Sequence, residues 1–173
     1  MSSYLLSESF IRSADNSRFR VENVTNKGLG VRVLSKVVDR NIMCYFPIEV
    51  MRLDGSSTDF AYSMRLLTPG GKFMRWHYGN LPSDDKAPHV DGIWRKKPVI
   101  GHFINEPHAG ECVNCKIKFP RMSTPRLGSL LYVAIIATRD IEPGEELLLD
   151  YGPEYERSLY PSKLSSEMYL KSA

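Results

Sequence analysis

The run Leu130-Leu131-Tyr132-Val133-Ala134-Ile135-Ile136-Ala137 constrains this chain more than any other stretch. Its residues are almost continuously apolar and Val133, Ile135 and Ile136 are β-branched, which suits a strand covered on both faces. A strand with one wet face would alternate polar and apolar residues instead. The run also falls well short of the roughly 18 apolar residues that cross a bilayer as a helix. Ile141-Glu142-Pro143-Gly144-Glu145-Glu146 follows, with Pro and Gly at the second and third positions of a tight turn. Leu147-Leu148-Leu149 then resumes the apolar register.

Other segments read the same way. Between Phe19 and Val38, Val21, Val24, Val31, Val33, Val37 and Val38 surround the turn signal Asn26-Lys27-Gly28, which predicts a hairpin. A further strand is expected over Ile42-Met43-Cys44-Tyr45-Phe46, closed by Pro47, which cannot donate to a ladder. From Asp54 to Pro98 the chain is rich in Gly, Pro, Ser and Asp and reads as an insert, with strands expected around Lys72 to Tyr78. Trp76, Tyr78 and Trp94 within it suit core packing or a peptide groove. Ser162 to Leu170 is a modest helical candidate, with Leu164, Met168 and Tyr169 on one face. Short strands and Gly/Pro turns predict a mainly β domain. At 173 residues the chain suits one core rather than two domains and a linker. The expected division is an arm over 1–18, a domain over 19–155 with the insert at about 54–98, and a tail over 156–173.

Composition excludes several classes. Hydrophobic residues at 42% and charged residues at 25% belong to globular chains, not disordered ones. A net charge of +3, from 23 Lys and Arg against 20 Asp and Glu, lacks the excess of a dedicated nucleic-acid binder. The clusters Arg95-Lys96-Lys97 and Lys116-Ile117-Lys118 read as solvated faces. Met1 to Leu6 lacks the basic start and long apolar run of a signal peptide, so an intracellular protein with no membrane contact is expected. Three cysteines, Cys44, Cys112 and Cys115, suit a reducing compartment. Cys112-x-x-Cys115 invites zinc, but a structural site needs four ligands, Cys44 is the only other thiol, and His102 and His108 are not spaced like a finger. No metal is expected; a zinc-stabilised nucleic-acid module on Cys112 and Cys115 is the reading that metal analysis would test.

Three separated segments carry the chemistry: Lys27-Gly28-Leu29-Gly30-Val31, His102-Phe103-Ile104-Asn105, and Gly144-Glu145-Glu146-Leu147-Leu148-Leu149-Asp150-Tyr151-Gly152. Alone, Gly28-Leu29-Gly30 needs no ligand, since paired glycines serve positive φ angles and tight turning. Nor is it a dinucleotide fingerprint, because no third glycine follows and no helix opens there. In order and spacing, the three segments together resemble the SET-domain family of protein lysine methyltransferases, from about Phe19 to Tyr155. The most specific match is Glu146-Leu147-x-x-Asp150-Tyr151 after a Pro-Gly turn.

The resemblance implies a mainly β, β-clip-like fold of several small sheets with a pseudo-knot and short helices. It implies S-adenosylmethionine as cofactor and a protein lysine as substrate, a histone foremost, with ribosomal and other proteins open. Lys27, Gly28, Leu29 and Gly30 would let the backbone approach the methionine end of the cofactor. Asn105 matches the asparagine of the family's Asn-His-Ser segment, whereas Glu106 and Pro107 replace its histidine and serine. About three extra residues precede Asn114-Cys115, which resembles the closing Asn-Cys of that segment. Glu106 would serve the adenine through its backbone, and Tyr155 would join the cofactor site. Glu146 and Asp150 read as structural and Tyr151 as catalytic, with Phe46, Leu149, Tyr151 and Tyr155 lining the substrate channel. No cysteine cluster follows Tyr151, so the tail from Tyr155 to Tyr169 would supply the channel wall by packing. Homodimerisation is a further route to completing that wall, and the nucleus is expected over the cytoplasm.

The chemistry asks little of a strong base. A lysine amine has a pKa near 10.4, and both desolvation in an apolar channel and a neighbouring sulfonium lower it. What remains is in-line alignment, which Tyr151 would provide. Two departures bear on turnover: Leu149 stands where the family commonly has Phe or Tyr, so di- or trimethylation is expected. Phe46-Pro47-Ile48-Glu49 stands where the family often reads Tyr-x-Gly-Glu, losing a hydroxyl at Phe46. The alternative function is a SET fold kept as a protein-binding scaffold with little catalysis, since a fold alone does not fix an activity.

Overall fold

The computed structural model describes residues 18–52, 64–67, 73–80, 93–94, 97–119, 126–152 and 155. In chain order the strands are β1 (Phe19–Val24), β2 (Gly28–Val33), β3 (Ile42–Arg52), β4 (Met64–Leu67), β5 (Phe73–Asn80), β6 (Ile93–Trp94), β7 (Lys97–Pro98), β8 (Cys115–Lys118) and β9 (Leu130–Ala137). One turn of 3-10 helix, Gly101–Phe103, is the helical element among the described residues.

β1 and β2 form the expected antiparallel hairpin, with Val24 paired to Gly28. The Lys27 N–H closes its loop on the Val24 carbonyl at 3.1 Å. Asn26 at φ 64° and Gly28 at φ 80° take the left-handed conformation, which these residue types adopt at least cost. β9 occupies the predicted Leu130–Ala137 and lies inside an antiparallel sheet of order β4-β5-β3-β9-β8. Leu131, Val133, Ile135 and Ala137 face the main core, where Phe19, Val21, Val31 and Val33 of the hairpin meet Met43, Phe46 and Ile48 of β3. Ala134 and Ile136 face a smaller cluster with Tyr45 and Val99, against which Tyr132 packs. Burial on both faces is what removed the polar alternation from this segment.

β3 corrects one expectation. It does not end at Phe46 but runs through Pro47, which pairs with Tyr132 of β9, and on to Arg52. Proline is tolerated because β5 pairs with β3 only over Glu49–Arg52, so on that side the strand has no β5 partner at Pro47. The insert holds β4, β5, β6 and β7, and the strand expected near Lys72 to Tyr78 is β5, Phe73–Asn80. Trp76 and Tyr78 lie on β5 and Trp94 on β6. Most of the arm and the helical candidate at 162–170 fall outside the described residues. Among the described residues no helix is long and apolar enough to cross a membrane.

The Pro143-Gly144 turn forms as expected: the Glu145 N–H reaches the Glu142 carbonyl at 3.2 Å and Gly144 has φ 90°. It turns the chain back along β2, where the Val33 N–H donates to Glu145 at 2.8 Å and the Leu147 N–H to Val31 at 2.8 Å.

Candidate functional site

Glu146 to Leu149 is the segment on which the separated motifs converge. Arg32 bridges Glu146 antiparallel, while Asn105 bridges Leu148 and Cys115 bridges Leu149 in parallel. The Leu149 N–H donates to the Asn105 carbonyl at 2.9 Å, and the Cys115 N–H to the Leu148 carbonyl at 3.2 Å. Asn114, 1% exposed, uses its side chain as a peptide group would. Its Nδ2 donates to the Glu146 carbonyl at 2.7 Å, and its Oδ1 accepts the Leu148 N–H at 2.8 Å. Cys115 adds a thiol bond to the Leu148 carbonyl at 3.1 Å. Burial pushes that thiol up to about 12, so it stays protonated and donates. Asn114-Cys115 therefore closes this junction by hydrogen bonding. Cys44 is buried too and Cys112 exposed; all three thiols are free.

A polar network lies alongside. The Glu146 Oε1 accepts from Asn105 Nδ2 at 2.9 Å, and the same Nδ2 donates to the Leu29 carbonyl at 3.1 Å. The Glu146 Oε2 pairs with Lys27 Nζ at 3.1 Å, and Lys27 also meets Glu111 Oε2 at 2.5 Å. The side chains of Lys27 and Glu146 are 4% and 7% exposed, so this is a buried ion pair. Glu111 also takes the His108 N–H at 2.6 Å. Burial raises the Glu111 carboxyl, but the bonds from Lys27 and His108 outweigh it and hold the group below its ordinary range.

Glu111 was not legible as a site residue, although its signal is local. The Glu111 N–H bonds the His108 carbonyl at 3.0 Å and Gly110 has φ 89°, a turn with glycine at its third position. The extra residues before Asn114 thus fold back to reach Lys27. The glycines divide in role. A Cβ on Gly30 would lie 2.6 Å from Val24 Cγ2 and 2.8 Å from both Asn105 Nδ2 and Glu146 Oε1, so this glycine makes room for the polar network. A Cβ on Gly28 would meet nothing within 4 Å. Gly28 borders open space.

Tyr151 is held at both ends. Its hydroxyl donates to the Ile104 carbonyl, and its backbone N–H donates to Glu106 Oε1 at 2.9 Å. Its ring packs on the main core and meets Tyr155 edge-on, with centroids 4.7 Å apart and planes at 72°. Leu149 and Phe46, 3% and 7% exposed, belong to that same core cluster. Asp150 turns the chain by accepting the Gly152 N–H at 2.7 Å, and Gly152 has φ 85°. The structure thus brings Leu29, Gly30, Asn105 and Lys27 together around Glu146, and Glu106 and Tyr155 against Tyr151. Ile104, whose carbonyl holds the tyrosine hydroxyl, was not among the expected site residues; a backbone acceptor leaves no trace in residue type.

The sequence matches the SET domain family model over residues 11–152. The chain belongs to the SET-domain family. Solved structures share its architecture. ATXR5, in complex with mono-methylated histone H3.1, superposes with a TM-score of 0.54 at 21% identity, covering 84% of this chain and 60% of that one. The methyltransferase domain of human PR domain-containing protein 2 gives 0.52 at 17% identity, covering 88% of each chain. A Plasmodium falciparum protein described as a candidate histone methyltransferase gives 0.50 at 15% identity, covering 82% and 98%. At these identities the likeness speaks for the fold. No curated protein sequence resembles the chain closely enough to count as a match. Asn105 bridges Leu148, three positions before Tyr151, so the asparagine and the tyrosine singled out in the sequence lie on adjoining segments.

Proposed function

We propose that this SET domain transfers a methyl group from S-adenosylmethionine to the side-chain amine of a protein lysine, with Tyr151 as the catalytic residue. The observation that carries the reading is the Tyr151 hydroxyl seated on the Ile104 carbonyl, beside the strand junction that joins the motifs. A tyrosine hydroxyl has one proton to give and two lone pairs to accept with. Its proton goes to Ile104, and a hydroxyl oxygen that donates can also accept, which suits an incoming amine N–H. That polarity suits orienting a neutral lysine with its lone pair turned away from the tyrosine.

The cofactor-binding residues in this reading are Lys27, Gly28, Leu29, Gly30, Asn105, Glu106 and Tyr155. Their fit to a cationic cofactor rests on charge and space. Two carboxylates, Glu111 and Glu146, face one ammonium, Lys27, next in the chain to Gly28, where a Cβ would meet nothing within 4 Å. When bound, S-adenosylmethionine supplies an electrophilic methyl on a sulfonium. The protein's own part is to strip water from the lysine amine and fix its direction. Phe46, Leu149 and the Tyr151 and Tyr155 rings provide the apolar surroundings, and such desolvation favours the neutral amine. Fixing direction rather than forming a covalent intermediate is what oriented dipoles contribute here.

Leu149 offers no hydroxyl to hold a blocking water, which favours di- or trimethylation. A histone is the first substrate to try, because one structural relative is in complex with a histone, and the nucleus is the corresponding location. The test is methyl transfer from labelled S-adenosylmethionine to a panel of histones and lysate proteins, run with Tyr151→Phe beside the wild type. Labelling of one protein that disappears in the variant supports the assignment.

A further inference from the structure

Ile104 and Glu106 belong to one short segment and hold opposite ends of Tyr151. Ile104 takes the hydroxyl through its carbonyl, and Glu106 takes the backbone N–H through Oε1 at 2.9 Å. Asn105, between them, is anchored without any help from Tyr151. Its carbonyl accepts the Leu149 N–H at 2.9 Å, and its amide donates to Glu146 and Leu29 at 2.9 and 3.1 Å. The segment is therefore a fixed bracket against which the tyrosine is set.

Pro107 strengthens the bracket. A residue before proline is disfavoured from helical backbone conformations, which biases Glu106 toward the extended form that follows on from Asn105. Past Leu149 the strand pairing ends and the chain bends at Gly152, φ 85°. At that bend a side-chain carboxylate, not a strand carbonyl, meets the Tyr151 amide.

We infer that Glu106 is a positioning residue whose side chain fixes the Tyr151 backbone, so that the hydroxyl stays on Ile104 in the orientation the methyl transfer uses. The inference rests on the reading of Tyr151 given above, and assigns a duty to the side chain at a position where the family's histidine is missing. Carboxylate acceptors form stronger bonds than neutral ones, which suits a contact that must resist bending at a chain turn.

The experiment combines a measurement on the protein without cofactor with one on turnover. Amide hydrogen exchange at Tyr151 is followed by NMR in the wild type, Glu106→Ala and Glu106→Gln, with cofactor affinity and steady-state methyl transfer for each. Glu106→Ala is expected to speed Tyr151 exchange about tenfold, the equivalent of one net hydrogen bond. It should lower kcat on the order of ten- to a hundredfold through misalignment. KM and cofactor affinity should stay within about threefold, since Glu106 would meet the cofactor through its backbone, which these side-chain substitutions keep. Glu106→Gln keeps an oxygen in the same place and should recover most of both losses. Glu106→Leu replaces the alanine variant if that one does not fold. Wild-type exchange at Tyr151 in the alanine or leucine variant overturns the inference, as does a glutamine variant that loses as much as alanine. Absence of methyl transfer by the wild type would overturn the proposed function instead, while the exchange result still decides the role of Glu106.

Discussion

Two buried regions of this molecule are held by opposite means. Around β9, Val133, Ile135, Phe46, Ile48 and Leu131 are packed with carbon against carbon, and nothing in that contact depends on direction. Around Glu146, a buried ammonium and carboxylate and an amide form a chain of directed bonds, with the Lys27 side chain only 4% exposed and the exposed Glu111 at the outer end. The first region sets stability by area and tolerates hydrophobic swaps of similar volume. The second sets geometry, and every partner matters, because a deserted buried charge costs more than its pair contributes. The candidate chemistry is built beside the second region, where strand ends from distant parts of the chain must be held in register.

That contrast can be broken in order of expected effect. Glu146→Ala leaves Lys27 with only the exposed Glu111 and Asn105 Nδ2 with only the Leu29 carbonyl, and should cost about 3 kcal/mol, the low end for breaking a buried pair. Ile135→Val, at an equally buried site in the apolar region, should cost about 0.5–1.5 kcal/mol. Denaturant titration of both variants checks this; equal losses would erase the distinction. Gly30→Ala drives a Cβ into Val24, Asn105 and Glu146 and should cost about 1–3 kcal/mol, the usual range for overpacking. Gly28→Ala meets no neighbour and should cost about 1–2 kcal/mol from its positive φ alone. Only the Gly30 variant should disturb the Asn105 amide resonance.

His102 sharpens the contrast from within the apolar side. Its ring sits 4.0 Å from that of Phe103 and 6.3 Å from that of Phe46, and its Nδ1 is buried with no hydrogen-bond partner among the described residues. Burial pushes its pKa from 6.5 down to about 3, so the folded protein keeps it neutral. The unfolded chain takes up the proton first as pH falls. Stability present in full above about pH 6.5 is therefore lost on the way down, by about 1–2 kcal/mol at pH 5. Thermal melts at pH 7.5 and 5 should show this loss in the wild type and a smaller one in His102→Phe.

What the sequence disclosed follows from where each signal resides. β9, the β1–β2 hairpin and the Pro143-Gly144 turn are local patterns, and all three formed as read. The course of β3 through Pro47 depends on how far β5 extends alongside, which no property of residues 42–52 reports. Gly30 reads as a position where a missing side chain makes room; that Asn105 and Glu146, residues far along the chain, take up that room is visible only in the structure. Lys27 meets Glu111 across 84 positions. Such pairings are fixed by the junction of strand ends at Glu146 to Leu149, so a residue-by-residue reading recovers the motifs but not the contacts that align them.

The central claim is that Tyr151 orients the amine that receives the methyl. It is tested most directly by the rate of methyl transfer in Tyr151→Phe with cofactor affinity measured on the same preparation. Removing the hydroxyl should leave affinity for S-adenosylmethionine near that of the wild type and reduce the rate by about a hundredfold or more, the scale on which lost alignment acts. Undiminished transfer by a folded Tyr151→Phe variant would contradict the account.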